Sequence, residues 1–217
     1  MSIRLSQVDD LSRRDHSHLR ETDTCFFLRE YTRGVGWRGS ETNDLIDNFK
    51  KSPEKYRAVP KVWKWKLRAI EQISAELSAA LNHEWLKIAT LVPIPSSKTS
   101  LHPDYDDRML SLLNGIARQA HVKADIRELI VQTEDTEAFH SRDDRRDPVE
   151  IESRYMVDEG ATNPTPKVIG LFDDLLTTGA HFRAAHSLFA KRFPGVPIVG
   201  IFVARRVIPE AEAELSW

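Results

Sequence analysis

The sequence predicts an α/β fold: a central, mostly parallel sheet flanked by helices. Three observations carry that expectation. From residue 88 onward, apolar strand-like runs alternate with segments of helical period, the pattern of right-handed strand–helix–strand crossovers. KVIGLF (167–172) and VPIVGIFVAR (196–205) are apolar almost throughout, as strands buried on both faces are. Hydrophobic residues make up 41% of the 217-residue chain, enough to fill a core of that size.

Taken in order, residues 1–22 are polar and weakly periodic and read as a flexible, solvated arm. His16 and His18 lie on it with no third metal ligand nearby. CFFLREYT (25–32) has strand-like content, GVGWRGSETND has the glycines of a loop, and LIDNFKKSP reads as a short helix stopped by Pro53. Residues 60–81, PKVWKWKLRAIEQISAELSAAL, predict a helix with Pro60 at its start. Trp63, Leu67, Ile70, Ile73, Leu77 and Leu81 recur there at helical spacing. Its WKWK stripe is of a kind that stacks on nucleic acid, but core tryptophans with solvated lysines between them is the preferred reading. IATLVPIP (88–95) is a buried strand, YDDRMLSLLNGIARQA (105–120) an amphipathic helix, and ELIVQT (128–133) a strand. Residues 134–160 are charged throughout and suit an exposed loop with a short helix. AHFRAAHSLFAKRF (180–193) closes the set as a helix between the two apolar strands. With no internal repeat and no clear linker, one domain over 23–217 follows the arm.

Charge and cysteine content exclude several classes. The formal net charge of −2 demands neither nucleic acid nor an anionic membrane. The single cysteine, Cys25, supports no intramolecular disulfide or multi-cysteine zinc site and reads as a small buried hydrophobe. No apolar run is long enough to span a bilayer and no signal-peptide core is seen, so a soluble, cytoplasmic protein is expected.

The chemistry concentrates in VIGLFDDLLTTGAHF (168–182). Two adjacent carboxylates, Asp173 and Asp174, end a buried strand, where they are costly unless paired. A turn from Leu175 to Gly179 then enters a helix. Its backbone N–H groups, the helix dipole and the Thr177 and Thr178 hydroxyls suit an anion, and Gly179 permits close approach. In an open parallel sheet such a strand end is where ligands bind. The set suits a phosphorylated sugar, with acids on ribose hydroxyls, directly or through Mg2+, and the turn on the 5-phosphate.

That stretch resembles the phosphoribosyl-pyrophosphate (PRPP) signature of type I phosphoribosyltransferases: an apolar run, two acids, two variable residues and T-T-G-x-T. It departs at the last position, His181. Within that family it is most similar to ComF-like proteins, with LVPIPSSKTS and TEDTEAFHSRDDRR in the places of the family's P-x-P loop and charged segment. The likeness covers roughly residues 25–206 and is strongest at 168–181; the four-cysteine zinc module of some members is absent. The resemblance implies a type I phosphoribosyltransferase-like core sheet over 88–206, with residues 23–87 as a hood and helical part. It implies a pentosyl-transferring glycosyltransferase that moves phosphoribose from PRPP to a nitrogen acceptor and releases pyrophosphate. Ser96, Ser97 and Lys98 would face pyrophosphate. Arg108 would reach a phosphate or pair with Asp104 or Asp107. Asp173 and Asp174 would hold ribose and Mg2+, and Leu175, Leu176, Thr177, Thr178, Gly179, Ala180 and His181 would hold the phosphate. Asp173, Asp174 and Lys98 are the catalytic expectations. Arg142, Arg145 and Arg146 fall where the family closes a loop over PRPP, although a charge run is more often solvated surface; His140 and His181 would contact phosphate, or His181 would cap its helix. The acceptor would meet residues 23–58 or the C-terminal RRVIPEAEAELSW, and no base for it is named. The alternative is a catalytically repurposed module that binds PRPP or a nucleotide in DNA uptake, nucleic-acid handling or defence. Expected partners are PRPP or a nucleotide, an unspecified acceptor, a second copy in a homodimer and, on the alternative reading, nucleic acid or protein.

Overall fold

The computed structural model describes residues 3–36, 39–135 and 147–208. Its centre is a six-stranded sheet in the order β1-β2-β8-β7-β3-β4, built from β1 (Ser6–Gln7), β2 (Thr24–Thr32), β3 (Thr90–Pro93), β4 (Asp125–Ile126), β7 (Ile169–Leu176) and β8 (Ile198–Val207). All neighbours are parallel except β1, which runs antiparallel on the β2 edge. The predicted α/β architecture with a mostly parallel sheet is therefore present. A separate antiparallel pair joins β5 (Ile130–Gln132) to β6 (Tyr155–Val157).

The helices are α1 (Asp10–Arg13), α2 (Glu41–Phe49), α3 (Pro53–Ala58), α4 (Trp63–Ala80), α5 (His83–Ile88), α6 (Arg108–Gln119), α7 (Pro148–Glu152) and α8 (Ala180–Arg192). Leu112, Leu113 and Ile116 of α6 pack with Ile73 and Leu77 of α4 against Leu91 and Phe172. Phe182 and Phe189 of α8 pack with Ile169 and Leu171 in the other apolar cluster. Residues 169 and 171 thus pack with one set of helices and residue 172 with the other, the alternation a doubly covered strand requires. From β3 the chain passes through α6 to β4 on one side. It then returns to β7 on the other side of β3 and continues through α8 to β8. The order reverses between β3 and β7, the place where parallel sheets open a crevice at their carboxyl ends.

Several expectations change. β2 pairs with β8 along eight residues, from Thr24↔Val199 to Thr32↔Val207, so residues 24–32 belong to the core sheet and not to a hood. ELIVQT does not join that sheet; β4 takes the edge. The cause is Pro93. Arg127 donates its N–H to the Leu91 carbonyl at 3.0 Å, so odd-numbered residues of β3 face this edge, and Pro93 has no N–H to extend the ladder. Pro53 starts α3 and does not end α2, which finishes at Phe49. The helix expected from residue 105 begins at Arg108, and α5 was not expected at all.

The WKWK reading holds at its first pair, with Trp63 half-buried and Lys64 exposed, and reverses at the second. Trp65 and Leu67 are exposed, whereas Lys66 is 1% exposed. Lys66 Nζ lies 2.6 and 2.7 Å from the Asp106 carboxylate and 2.7 Å from the Lys51 carbonyl, and that pairing holds the ammonium inside.

Residues 3–22 are not a loose arm. β1 pairs with β2, α1 carries a reciprocal capping box between Asp9 and Ser12, and Val8, His16 and Leu19 are buried. Cys25 is buried as expected, and burial pushes its thiol pKa up. Among the described residues, no helix is long and apolar enough to cross a membrane.

Candidate functional site

β7 outruns its neighbour. β3 stops opposite Phe172, but β7 continues along β8 through Asp173↔Phe202 to Leu176↔Arg205. The two aspartates therefore sit within the strand and not just past it. Freed from β3 on one side, this stretch meets a cavity of about 220 Å3 at the reversal point. Its lining includes Pro95, Ser96 and Lys98 from the loop after β3, Asp106 and Arg108 at the start of α6, and Asp173. Tyr105, Glu128 and Asp158 form part of the remaining wall, and Tyr105 donates its hydroxyl hydrogen to Glu128 at 2.8 Å.

The strand alternation separates the two acids. Asp173 reaches the cavity, while Asp174 points to α6 and the end of α2. Arg108 donates through Nη2 and Nε to Asp174 Oδ2 at 2.6 and 3.0 Å, and Lys50 Nζ stands 2.9 Å from Oδ1. Arg108 also donates to Asp106 at 2.9 Å, and Asp106 holds Lys66. One chain of charge thus runs Lys50–Asp174–Arg108–Asp106–Lys66, with Arg108 and Asp106 in the cavity wall. Burial works to raise the Asp174 pKa, but Lys50 and Arg108 outweigh it and hold the carboxyl well below the usual range. Burial likewise acts against the Arg108 charge, and Asp174 and Asp106 outweigh it, keeping the guanidinium firmly protonated. For Lys66, burial wins and the pKa is lowered despite Asp106.

Asp173 has the opposite character. Its Oδ1 accepts the Asp174 backbone N–H at 2.7 Å. Burial, and then the adjacent Asp174 charge, push its pKa up to about 7. A carboxyl of this kind accepts a hydrogen bond when ionised and donates one when protonated.

The Thr-Thr-Gly turn follows directly. Gly179 adopts φ +84°, left-handed backbone that favours glycine, and is the N-cap of the thirteen-residue α8. Glycine offers no capping side chain, so the first N–H groups of α8 keep donors to spare and the dipole adds positive potential. His181, the position that departs from the family motif, shares a 2.8 Å hydrogen bond between its Nδ1 and the Tyr155 hydroxyl.

The structure gathers Ser96, Lys98, Arg108 and Asp173 around one cavity. Ser97 turns its carbonyl to Gln132 at 2.9 Å, and Asp174, paired with Arg108, is not among the lining residues. The turn 175–181 adjoins the cavity through the chain but is not among its lining residues. Arg108 pairs with Asp106 and Asp174, and with neither Asp104 nor Asp107. His140, Arg142, Arg145, Arg146 and residues 209–217 lie outside the described residues. Lys50, Lys66, Asp106 and His16 were not anticipated as neighbours of the site.

An Mg2+ ion bound directly by both acids does not fit this arrangement. Both Asp174 oxygens are taken by Lys50 and Arg108, and Asp173 has one oxygen committed to a backbone N–H. Among the described residues, no group of three His, Cys, Asp or Glu side chains is placed to hold a metal.

No protein-family model matches the chain, and no curated protein matches it.

Proposed function

We propose that the chain is a phosphoribosyltransferase that binds PRPP at the carboxyl end of β7 and transfers its phosphoribosyl group to a nitrogen acceptor. The carrying observation is one continuous piece of backbone. A strand presents Asp173 to a cavity at the sheet's reversal point, then turns at a left-handed glycine into an uncapped helix N-terminus. A carboxyl beside an anion cradle matches a ribose hydroxyl beside a 5-phosphate.

On this reading the turn from Leu175 to His181 holds the 5-phosphate and Asp173 holds a ribose hydroxyl. Ser96 and Lys98, both in the cavity lining, receive the pyrophosphate. The acceptor nitrogen's lone pair forms the new bond to C1 while the C1–oxygen bond breaks and its electron pair departs with pyrophosphate. The nitrogen then sheds its extra proton. Positioning of the two reactants and the Lys98 charge near the leaving group supply the rate.

A second reading has one observation in its favour. Asp174, the other half of the acid pair, is consumed by Lys50 and Arg108. A site with one available acid suits a module that binds PRPP or a nucleotide without turning it over. Pyrophosphate release from PRPP across a panel of nitrogen acceptors, with and without Mg2+, separates the two. The transferase reading expects release with some acceptor and its loss in Asp173→Asn. Tight PRPP binding by calorimetry with no release for any acceptor supports the module. Unchanged release in Asp173→Asn rules out the assigned site.

A further inference from the structure

We infer that the N-terminal segment Asp15–Leu19 is part of the anion cradle, and that His16 is a positioning residue that aims the cradle's donors. This rests on the proposed function for what the cradle binds, but not for how it is held.

Three residues of the segment grip three successive residues of the turn. The His16 ring is wholly buried, and its Nδ1 bonds the Thr177 carbonyl. A carbonyl only accepts, so Nδ1 carries the hydrogen. The His18 backbone N–H donates to the Thr178 carbonyl at 2.9 Å. Leu19 packs on Gly179 so closely that a Cβ there would stand 2.8 Å from Leu19 Cδ2. The segment is itself anchored at both ends. Asp15 Oδ2 accepts from Arg205 at 3.2 Å, and Asp23, which accepts the Arg20 N–H, pairs with Arg183 of α8 at 2.6 Å.

The consequence follows from the geometry of the peptide group. In a trans peptide the C=O and the next N–H point opposite ways. With the Thr177 and Thr178 carbonyls turned toward the N-terminal segment, the N–H groups of Thr178 and Gly179 are turned away from it. Those N–H groups are among the donors that an anion at the α8 N-terminus would meet. The segment thus fixes peptide planes that a glycine-containing turn would otherwise leave free to flip. A composition of polar residues with two histidines gave no sign of this.

Hydrogen–deuterium exchange of peptides covering 175–181, together with calorimetric titration of PRPP and ribose 5-phosphate, tests the inference. The variants are His16→Ala, which removes the donor, and His16→Asn, whose amide can restore it. Exchange at α6 serves as an internal control for folding. His16→Ala is expected to speed exchange in 175–181 and to weaken ribose 5-phosphate binding about fivefold to tenfold, the worth of one hydrogen bond. His16→Asn is expected to recover both, with α6 unchanged throughout. Unaltered exchange in 175–181 in His16→Ala overturns the positioning role, and so does a loss that spreads equally to α6. If the wild-type protein binds neither PRPP nor ribose 5-phosphate, the proposed function fails, and the exchange comparison alone decides the positioning role.

Discussion

Asp173 holds its proton more tightly in the folded chain than in the unfolded one, and that difference has a sign. The unfolded carboxyl titrates near 3.8 and the folded one near 7. Between those values the folded state keeps a proton that the unfolded state releases, so stability falls as pH rises through that window, and the loss is complete above it. Asp173→Asn is therefore expected to raise stability at pH 8 by roughly 2 to 4 kcal/mol and to change little at pH 4, read by urea unfolding at both values. Arg108 behaves differently because it is the hub of a buried network. Arg108→Ala leaves Asp174 facing Lys50 alone and Asp106 facing Lys66 alone, and about 3 kcal/mol of destabilisation is expected in the same assay. The acids at 173 and 174 were legible in the sequence, because two carboxylates in an apolar run demand an explanation. Their separate fates were not. Lys66 is 40 positions from Asp106, and Arg108 is 66 from Asp174. No local period reports contacts of that span.

Helix identities followed from periodicity wherever a face was long enough to show it, as in α4 and α6, and β7 and β8 followed from nearly unbroken apolar runs. Boundaries followed less well, because they are set by partners. β7 extends through both aspartates only because β8 is there to pair with them, and β3 loses β4 at Pro93, whose missing N–H was visible but whose facing edge was not. The α4–α6 contact shows the same limit. A Cβ on Gly115 would stand 2.1 Å from Ser74 Oγ and 2.8 Å from its Cβ, so the two helices meet through a glycine. Gly115→Ala gains about 1 kcal/mol of helix propensity, yet the overlap forces the helices apart at a cost of about 1–3 kcal/mol. Net destabilisation is expected in thermal unfolding, together with a loss of protection in α4. The second pair of the WKWK segment failed as a sequence reading for a related reason. Helical spacing identified a stripe, but the buried Asp106 decided that a lysine would go inside and that Trp65 would stay out.

At the scale of the whole molecule, the N-terminal segment ties three parts together: the β2 edge, the end of β8 and the turn before α8. Removing residues 1–22 strips Val8 and Leu19 from the core cluster and leaves Arg205 without Asp15. A cooperative fall in melting temperature of the entire domain is expected, and a melting curve unchanged from the full chain would show the segment to be dispensable. The α/β architecture was legible from alternation alone, but membership of the sheet was not. β2 looked like part of a peripheral layer because its parallel neighbour lies at the other end of the chain. That separation has a consequence for how the protein is made. Glu30 and Arg205, bridged across β2 and β8, are 175 positions apart. Residues 24–32 are synthesised long before their parallel partner exists, so β2 must wait for β8, and the β1–β2 edge joins the sheet last. A chain that has not yet emerged as far as β8 carries β2 with its β8-facing edge open and prone to aggregation, and a chaperone that shields it would act on residues 24–32.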